Sequence, residues 1–241
     1  MLKIGCCGFP TGKEKYYKKF DVVEVQQTFY KPMQVDTAKQ WRVQAPRKFE
    51  FTVKAWQLIT HPASSPTYRK AKLDLRGKNL NHFGSFQPTR EVYDAWDTIR
   101  EICDALQAKC VLFQCPSSFR PLDENLKNMR EFFSTIAGSK KYTFIWEPRG
   151  KLWGDALVRE LCEELNLVHC VDPFVRKTVH GKIVYFRLHG IGGYNYKYTK
   201  SDLSTLLDVC KSYKKKTIYC MFNNTTMAED ARRFMTLVNA N

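Results

Sequence analysis

The chain has 241 residues, 44% hydrophobic and 26% charged, the composition of a folded globular protein and not of a disordered one. No run approaches the roughly 18 consecutive apolar residues that a spanning helix needs, so neither a membrane-spanning helix nor a membrane partner is expected. Lys plus Arg outnumber Asp plus Glu by 39 to 24, a formal net charge of +15, which favours nucleic acid, anionic surfaces or phosphorylated ligands.

The first residues, MLKIGCCGFP, lack the apolar stretch and cleavage site of a secretory signal. Nine cysteines are scattered through apparent strands and helices without CxxC pairs, as expected of buried reduced thiols in a cytoplasmic protein.

Eight short apolar, β-branched runs follow in order: Leu2–Cys6, Val22–Gln26, Phe49–Lys54, Cys110–Gln114, Tyr142–Glu147, Leu167–Val171, Ile183–Leu188 and Thr217–Phe222. Most are continuous in apolar character, as parallel strands covered on both faces are. Amphipathic segments with helical spacing lie between them: Thr37–Gln44, Thr89–Gln107, Asn125–Ile136, Asp155–Leu165, Ser201–Tyr213 and Met227–Val238. This alternation, unbroken by a linker, predicts one α/β domain over residues 1–241, an irregular (β/α)8 TIM-like barrel, with an open doubly wound sheet as the rival.

Two segments depart from the alternation. After the third strand an irregular arm, about 56–88, carries Arg69, Lys70, Lys72, Arg76 and Lys78 against one acid, Asp74. It is expected either to reach over a polyanion or to be a solvated insertion. Between the sixth and seventh runs about ten residues are too few for a crossover helix, and His180–Gly181 is expected to turn a local hairpin.

In a barrel, the residues that close each strand build the site at the C-terminal mouth. Here they are Cys7 and Gly8, Glu24 and Gln26, Lys54, Gln114, Glu147 and Arg149, Asp172, Arg187 and His189, and Asn223 and Asn224. Residues two apart on a strand share a face, so Glu24 with Gln26, Glu147 with Arg149, and Arg187 with His189 should converge. Buried charges of this kind pair with one another or with a ligand, and a structural ion network is the alternative to a catalytic one. A lysine ringed by arginines acquires a lowered pKa, the condition for a general base or imine-forming nucleophile, and nearby Glu24 or Glu147 opposes that shift.

His61 and His189 are the histidines best placed for chemistry. Glu147, Asp172 and His189, with Glu24, are the candidates for a divalent metal, although no HxH or HExxH spacing appears. Tyr30, Tyr194, Tyr196 and Tyr198, with Phe9, Phe29 and Trp56, could stack on bases, on sugars or only on one another. The "HGIGG" turn and the "FNNTTMAEDA" helix start, with Asn223 and Asn224, offer backbone donors to an anion or a plain turn and N-cap.

The stretches "KIGCCGFP", "FDVVEVQQTFYKP", "FEFTVKAWQLITH", "FQCPSSF", "FIWEPRG", "VDPF", "YFRLHG" with "YNYKY", and "FNNTTMAEDA" resemble, in order and spacing, the YecE-like proteins, domain of unknown function 72. The resemblance implies an irregular TIM barrel and points to Gly8, Glu24, Phe29, Tyr30, Lys54, Thr60, His61, Glu147, Arg149, Arg187, His189, Gly190, Tyr196, Asn223 and Asn224. Where many relatives carry a Ser–Gly–Trp-like start, this chain has Cys7, Gly8 and Phe9, which puts hydroxyl chemistry there in doubt. The family's likeness to endonuclease IV-like barrels implies DNA binding or repair, while the histidine-rich trinuclear metal pattern of those nucleases is missing.

The leading expectation is a nucleic-acid-binding barrel, with single-stranded DNA as the candidate partner and nuclease chemistry as the candidate activity. Its catalytic residues would be Glu24, Lys54, Glu147, Arg149, Arg187 and His189. Its substrate-binding residues would be Tyr30, His61, Arg69, Lys70, Tyr194, Tyr196, Asn223 and Asn224. Two alternatives stand: a lyase, isomerase or hydrolase of an anionic small molecule working through Lys54, and a non-catalytic nucleic-acid-binding scaffold.

Overall fold

The computed structural model describes residues 1–138, 141–214 and 216–240. Among them eight parallel strands close in sequence order, the last pairing with the first. They are β1 (Leu2–Cys7), β2 (Val22–Val25), β3 (Glu50–Lys54), β4 (Cys110–Gln114), β5 (Thr143–Glu147), β6 (Val168–Val171), β7 (Val184–Leu188) and β8 (Ile218–Phe222). Each coincides with one of the predicted runs to within a residue at either end. The open-sheet alternative is excluded, and the fold is a TIM barrel.

The helices are α1 (Lys13–Tyr17), α2 (Gln27–Tyr30), α3 (Val35–Gln44), α4 (Gln57–Thr60), α5 (Pro66–Ala71), α6 (Arg90–Leu106), α7 (Asp123–Ile136), α8 (Asp155–Glu164), α9 (Lys200–Ser212) and α10 (Met227–Asn239). Thr89 caps α6 through its hydroxyl, and Thr199 with Asp202 forms a capping box on α9, each satisfying N–H groups that lack a partner within the helix.

Alternate strand residues divide the core into two layers. Phe113 and Phe144, pointing outward, meet Trp96 of α6 and Phe133 of α7 in an aromatic layer. Inside the barrel Val22, Leu112, Ile145, Cys170, Tyr185 and Met221 form a second cluster. All nine cysteines are buried and unpaired by disulfide, as expected.

The connection from β6 to β7 contains no helix, as its length requires, but it is not a simple two-residue hairpin. It runs back beside β6, where Thr178 donates to the His169 carbonyl and Val179 N–H to His169 Nδ1, while His169 N–H donates to the His180 carbonyl.

The arm is more ordered than its composition suggests. It carries α4, α5 and a 3-10 turn at Leu80–His82, and buries Tyr68, Phe83 and Phe86. Its two ends are joined by N–H groups of Gly84, Ser85 and Phe86 donating to the carbonyls of Leu58, Thr60 and Ile59. Gly84 has φ +85°, and a Cβ there would lie 2.3 Å from the His61 carbonyl, so the closure depends on glycine.

Candidate active site

The barrel's last inward-pointing residues hold an ion network around Arg187, whose side chain is 1% exposed. Register sets Cys7 beside Glu24, Gln114 beside Glu147, and Arg187 beside Met221. Arg187 Nη1 donates to Glu147 Oε2 at 2.6 Å and to Gln114 Oε1 at 2.9 Å, and Nε donates to Glu24 Oε1 at 3.1 Å. Nη2 lies 3.0 Å from Glu24 Oε1 but off the hydrogen-bond line, with no other acceptor among the described residues. Glu24 Oε2 accepts from the Tyr185 hydroxyl at 2.8 Å, which lies 2.8 Å from Thr52 Oγ1, and Gln26 Nε2 donates to Glu24 Oε1.

The second shared-face pair lies alongside. Arg149 Nε and Nη2 both donate to Glu147 Oε1, at 2.9 and 2.7 Å. Burial by itself raises the Glu147 pKa, but Arg187, Arg149 and His189 outweigh it and hold the carboxyl below the usual range. His189 donates from Nδ1 to the Arg187 carbonyl at 3.0 Å, leaving Nε2 to accept from Arg149 Nη2 at 2.5 Å. Burial lowers the His189 pKa to about 4, so the ring is neutral at pH 7. The three predicted pairs do converge, but Glu24 and Glu147 are held by Arg187 together with Tyr185, Gln26 and Arg149. Arg187 itself is 1% exposed, and its Nη2 is left without an acceptor among the described residues.

Arg149, with its side chain 40% exposed, is the guanidinium that faces the mouth. Beside it is Lys54, 5% exposed at the end of β3. Its Nζ lies 3.7 Å from the centre of the Phe29 ring and pairs with no carboxylate among the described residues. Burial lowers its pKa to about 7, Arg187 and Arg149 adding to the shift and Glu147 and Glu24 opposing it. His61 is fixed against the same ring, 4.9 Å between ring centres, with Nδ1 2.8 Å from Thr60 Oγ1. Burial brings its pKa down to about 3, Lys54 and Arg149 acting in the same direction.

Among the described residues there is no group of three or more His, Cys, Asp or Glu able to hold a metal. Glu147 is taken up by two guanidiniums, and Asp172 accepts the N–H groups of Phe174 and His189. The donor set Glu147, Asp172 and His189 does not fit a divalent ion. Cys7 and Cys170 are no better placed for reaction, since burial pushes both thiols well up.

Several expectations at the rim need correction. Tyr198 is sealed in the core with its hydroxyl accepting from Gly190 N–H, and the Tyr196 hydroxyl donates to Asp202. Tyr194 and Tyr30 are the exposed rings, at 55% and 37%. Asn224 is fully buried and binds the Tyr196 carbonyl, Thr226 and Asp230. Asp230 fills the first turn of α10, so that helix start holds its own carboxylate and not an external anion. Asn223, half-buried, closes β8, and its N–H is bound by the Leu188 carbonyl. Gly190 has φ +89° and would place a Cβ 2.1 Å from the Gly193 carbonyl, a constraint of the turn itself.

The arm stands next to this mouth. Its α5 packs on α2, which carries Tyr30, and the Tyr68 hydroxyl donates to the His61 carbonyl at 2.8 Å. Arg69 and Lys70 are exposed on α5. The residues that sequence reasoning left out, Tyr185 and Tyr68, are apolar-looking members of an expected strand and arm. Tyr185 stands two positions before Arg187, and period-two spacing carried the signal.

The family model described as "Protein of unknown function DUF72" matches residues 12–241. A DUF72 family protein from Enterococcus faecalis V583 superposes with a TM-score of 0.76 at 18% identity, covering 99% of this chain and 98% of that one. D-Psicose 3-epimerase with D-tagatose from Clostridium cellulolyticum H10 gives 0.62 at 9% identity, covering 99% and 98%. Endonuclease IV from Thermus thermophilus gives 0.58 at 11% identity, covering 99% and 98%. At these identities the likeness is one of fold. No curated protein matches the sequence.

Proposed function

Since the chain belongs to the DUF72 family, whose description assigns no activity, we propose from its own residues that the barrel mouth binds the sugar-phosphate backbone of nucleic acid and processes it there. The observation that carries this reading is the cationic rim. Arg149 faces outward beside the buried Lys54 ammonium, and the basic arm is tied to the same place through Tyr68 and His61. The formal charge of +15 supports it through long-range attraction, and a barrel of this shape in endonuclease IV is consistent with it.

In this reading Arg149 binds phosphate, Arg69 and Lys70 extend the track, and Tyr30 and Tyr194 offer exposed rings to bases or sugars. Glu24 and Glu147 position Arg187 and Arg149 and do not act as bases, because both are already held by guanidinium groups. His189 fixes Arg149 through Nε2. Lys54 is the group at the mouth least committed to the protein.

Fluorescence anisotropy with labelled single- and double-stranded oligonucleotides across a salt series tests the proposal. Binding at low salt that weakens as salt rises is expected, and Arg149→Ala should weaken it and reduce the slope by about 1 in log K against log salt. No binding at low salt rejects the reading. Incubation with Mg²⁺, Mn²⁺ or EDTA then separates an enzyme from a scaffold, since binding without product in any of the three supports the scaffold.

A further inference from the structure

The side chain of Lys54 is unusual in where its amine ends. It is more than nine-tenths buried, faces the mouth from the end of β3, and has an aromatic face instead of a carboxylate for a neighbour. A structural lysine in a buried site pairs with an acid, and two acids stand in the same ring of strand ends. Both instead face Arg187. An amine that is buried, flanked by guanidiniums and unpaired loses its proton readily, and the neutral amine is a nucleophile.

We infer that Lys54 forms an imine with the free carbonyl of a sugar phosphate held at this mouth. The inference rests on the reading of the mouth as a phosphate-binding site and deepens it by naming the reacting group. The Nζ lone pair attacks the carbonyl carbon and a C–N bond forms. The amine gives up its two protons to the carbonyl oxygen, the C–O bond breaks, and that oxygen leaves as water. Hydrolysis reverses the sequence, so no oxidant or reductant is required. Arg149 supplies the counter-charge for phosphate, and once the imine nitrogen takes up a proton from water, the Phe29 ring supports that cation as it supports the ammonium.

Two sources present this chemistry, the deoxyribose aldehyde of an abasic position in DNA and a free sugar phosphate. The purified full chain is therefore incubated with cyanoborohydride and either an abasic-site oligonucleotide or 2-deoxyribose 5-phosphate. Intact mass and peptide mapping follow, with an unmodified oligonucleotide as the binding control. Capture at Lys54 is expected, its rate rising as pH increases through about 7. The groups that set this titration are Arg187, Arg149, Glu147 and Glu24 around the amine, with His61 and His189 neutral throughout.

Capture of the oligonucleotide supports the inference and the nucleic-acid reading together. Capture of the free sugar phosphate alone, with no binding of either oligonucleotide, supports the inference and rejects that reading. Oligonucleotide binding without capture at Lys54, or capture spread over surface lysines, overturns the inference and leaves the reading standing. Lys54→Arg keeps the positive charge and Lys54→Met keeps most of the volume. Each should abolish capture at this position while far-ultraviolet circular dichroism and the thermal midpoint report a folded barrel, and undiminished capture by either variant overturns the assignment.

Discussion

Arg187 is the residue on which the mouth depends. Its guanidinium neutralises Glu24 of β2 and Glu147 of β5, and a buried carboxylate deprived of its partner loses its compensation for desolvation. Arg187→Met should therefore lower the unfolding free energy at pH 7 by about 3–5 kcal/mol, measured by urea denaturation. The loss should shrink toward pH 4, because the abandoned carboxylates then take up protons. Adding Glu24→Gln and Glu147→Gln to the same chain should recover much of the stability, since the uncompensated charges are gone. A single-variant loss below about 1 kcal/mol would mean that water already reaches both acids. The same geometry explains what could be read at residue scale. Charged residues two apart on a strand must share a face, so Glu147 with Arg149 and Arg187 with His189 were legible. Which cation each acid would choose was not, because it depends on distances across the barrel. Lys54 was legible as a candidate base or imine former, but that neither glutamate pairs with it shows only in the structure.

At the scale of elements, the strands were legible because a parallel barrel strand is covered on both faces and is apolar along its length. The long helices were legible from their amphipathic spacing, and Thr89, where one such segment was expected to begin, is the N-cap of α6. The short helices α1, α2, α4 and α5 have four to six residues each, too few for a period of 3.6 to show, and tertiary packing holds them. The arm illustrates the consequence. Its charges left open a reach over a polyanion or a solvated insertion, and neither expectation included the buried Tyr68, Phe83 and Phe86 or the backbone hydrogen bonds that join its ends. Gly84 makes that junction possible, so Gly84→Ala should cost about 1–3 kcal/mol from the strained backbone. At about 2–4 °C per kcal/mol for a chain of this size, the thermal midpoint should fall by several degrees. Limited proteolysis should show earlier cleavage within residues 72–81. An unchanged midpoint together with unchanged cleavage would show that the junction is not what orders the arm.

Over the whole molecule, the burial of neutral histidines ties stability to pH. His61, His169 and His189 have pKa values lowered by burial to about 3, about 4 and about 4, against about 6.5 in an unfolded chain. Between about pH 6.5 and pH 4 the unfolded chain binds protons that the folded chain refuses, so stability falls as pH falls through that window. Each such proton contributes a slope of about 1.4 kcal/mol per pH unit. Below the ordinary carboxylate range Glu147 adds a further loss in the same direction, since its folded pKa is depressed. Asp172, which burial raises, opposes it. Lys54 acts at the other end: unfolded, it keeps its proton to about pH 10.5, and folded only to about pH 7, so its contribution makes the fold more stable as pH rises between those values. The urea midpoint should thus be lower at pH 5 than at pH 7.5. His169 offers the cleanest dissection, because it lies on the outer face of β6, away from the mouth. Its Nδ1 accepts the Val179 N–H, and Nε2 is buried without a partner among the described residues. Asp155 and Glu147 favour its protonation and Arg176 resists it, with burial the largest influence. His169→Asn can retain an acceptor for Val179 while removing the titration, so its stability should depend less steeply on pH between 4 and 6.5 than that of the parent chain. Equal slopes would mean that His169 takes up its proton in the folded state as readily as in the unfolded one, and the acid sensitivity would then rest on His61 and His189 at the mouth.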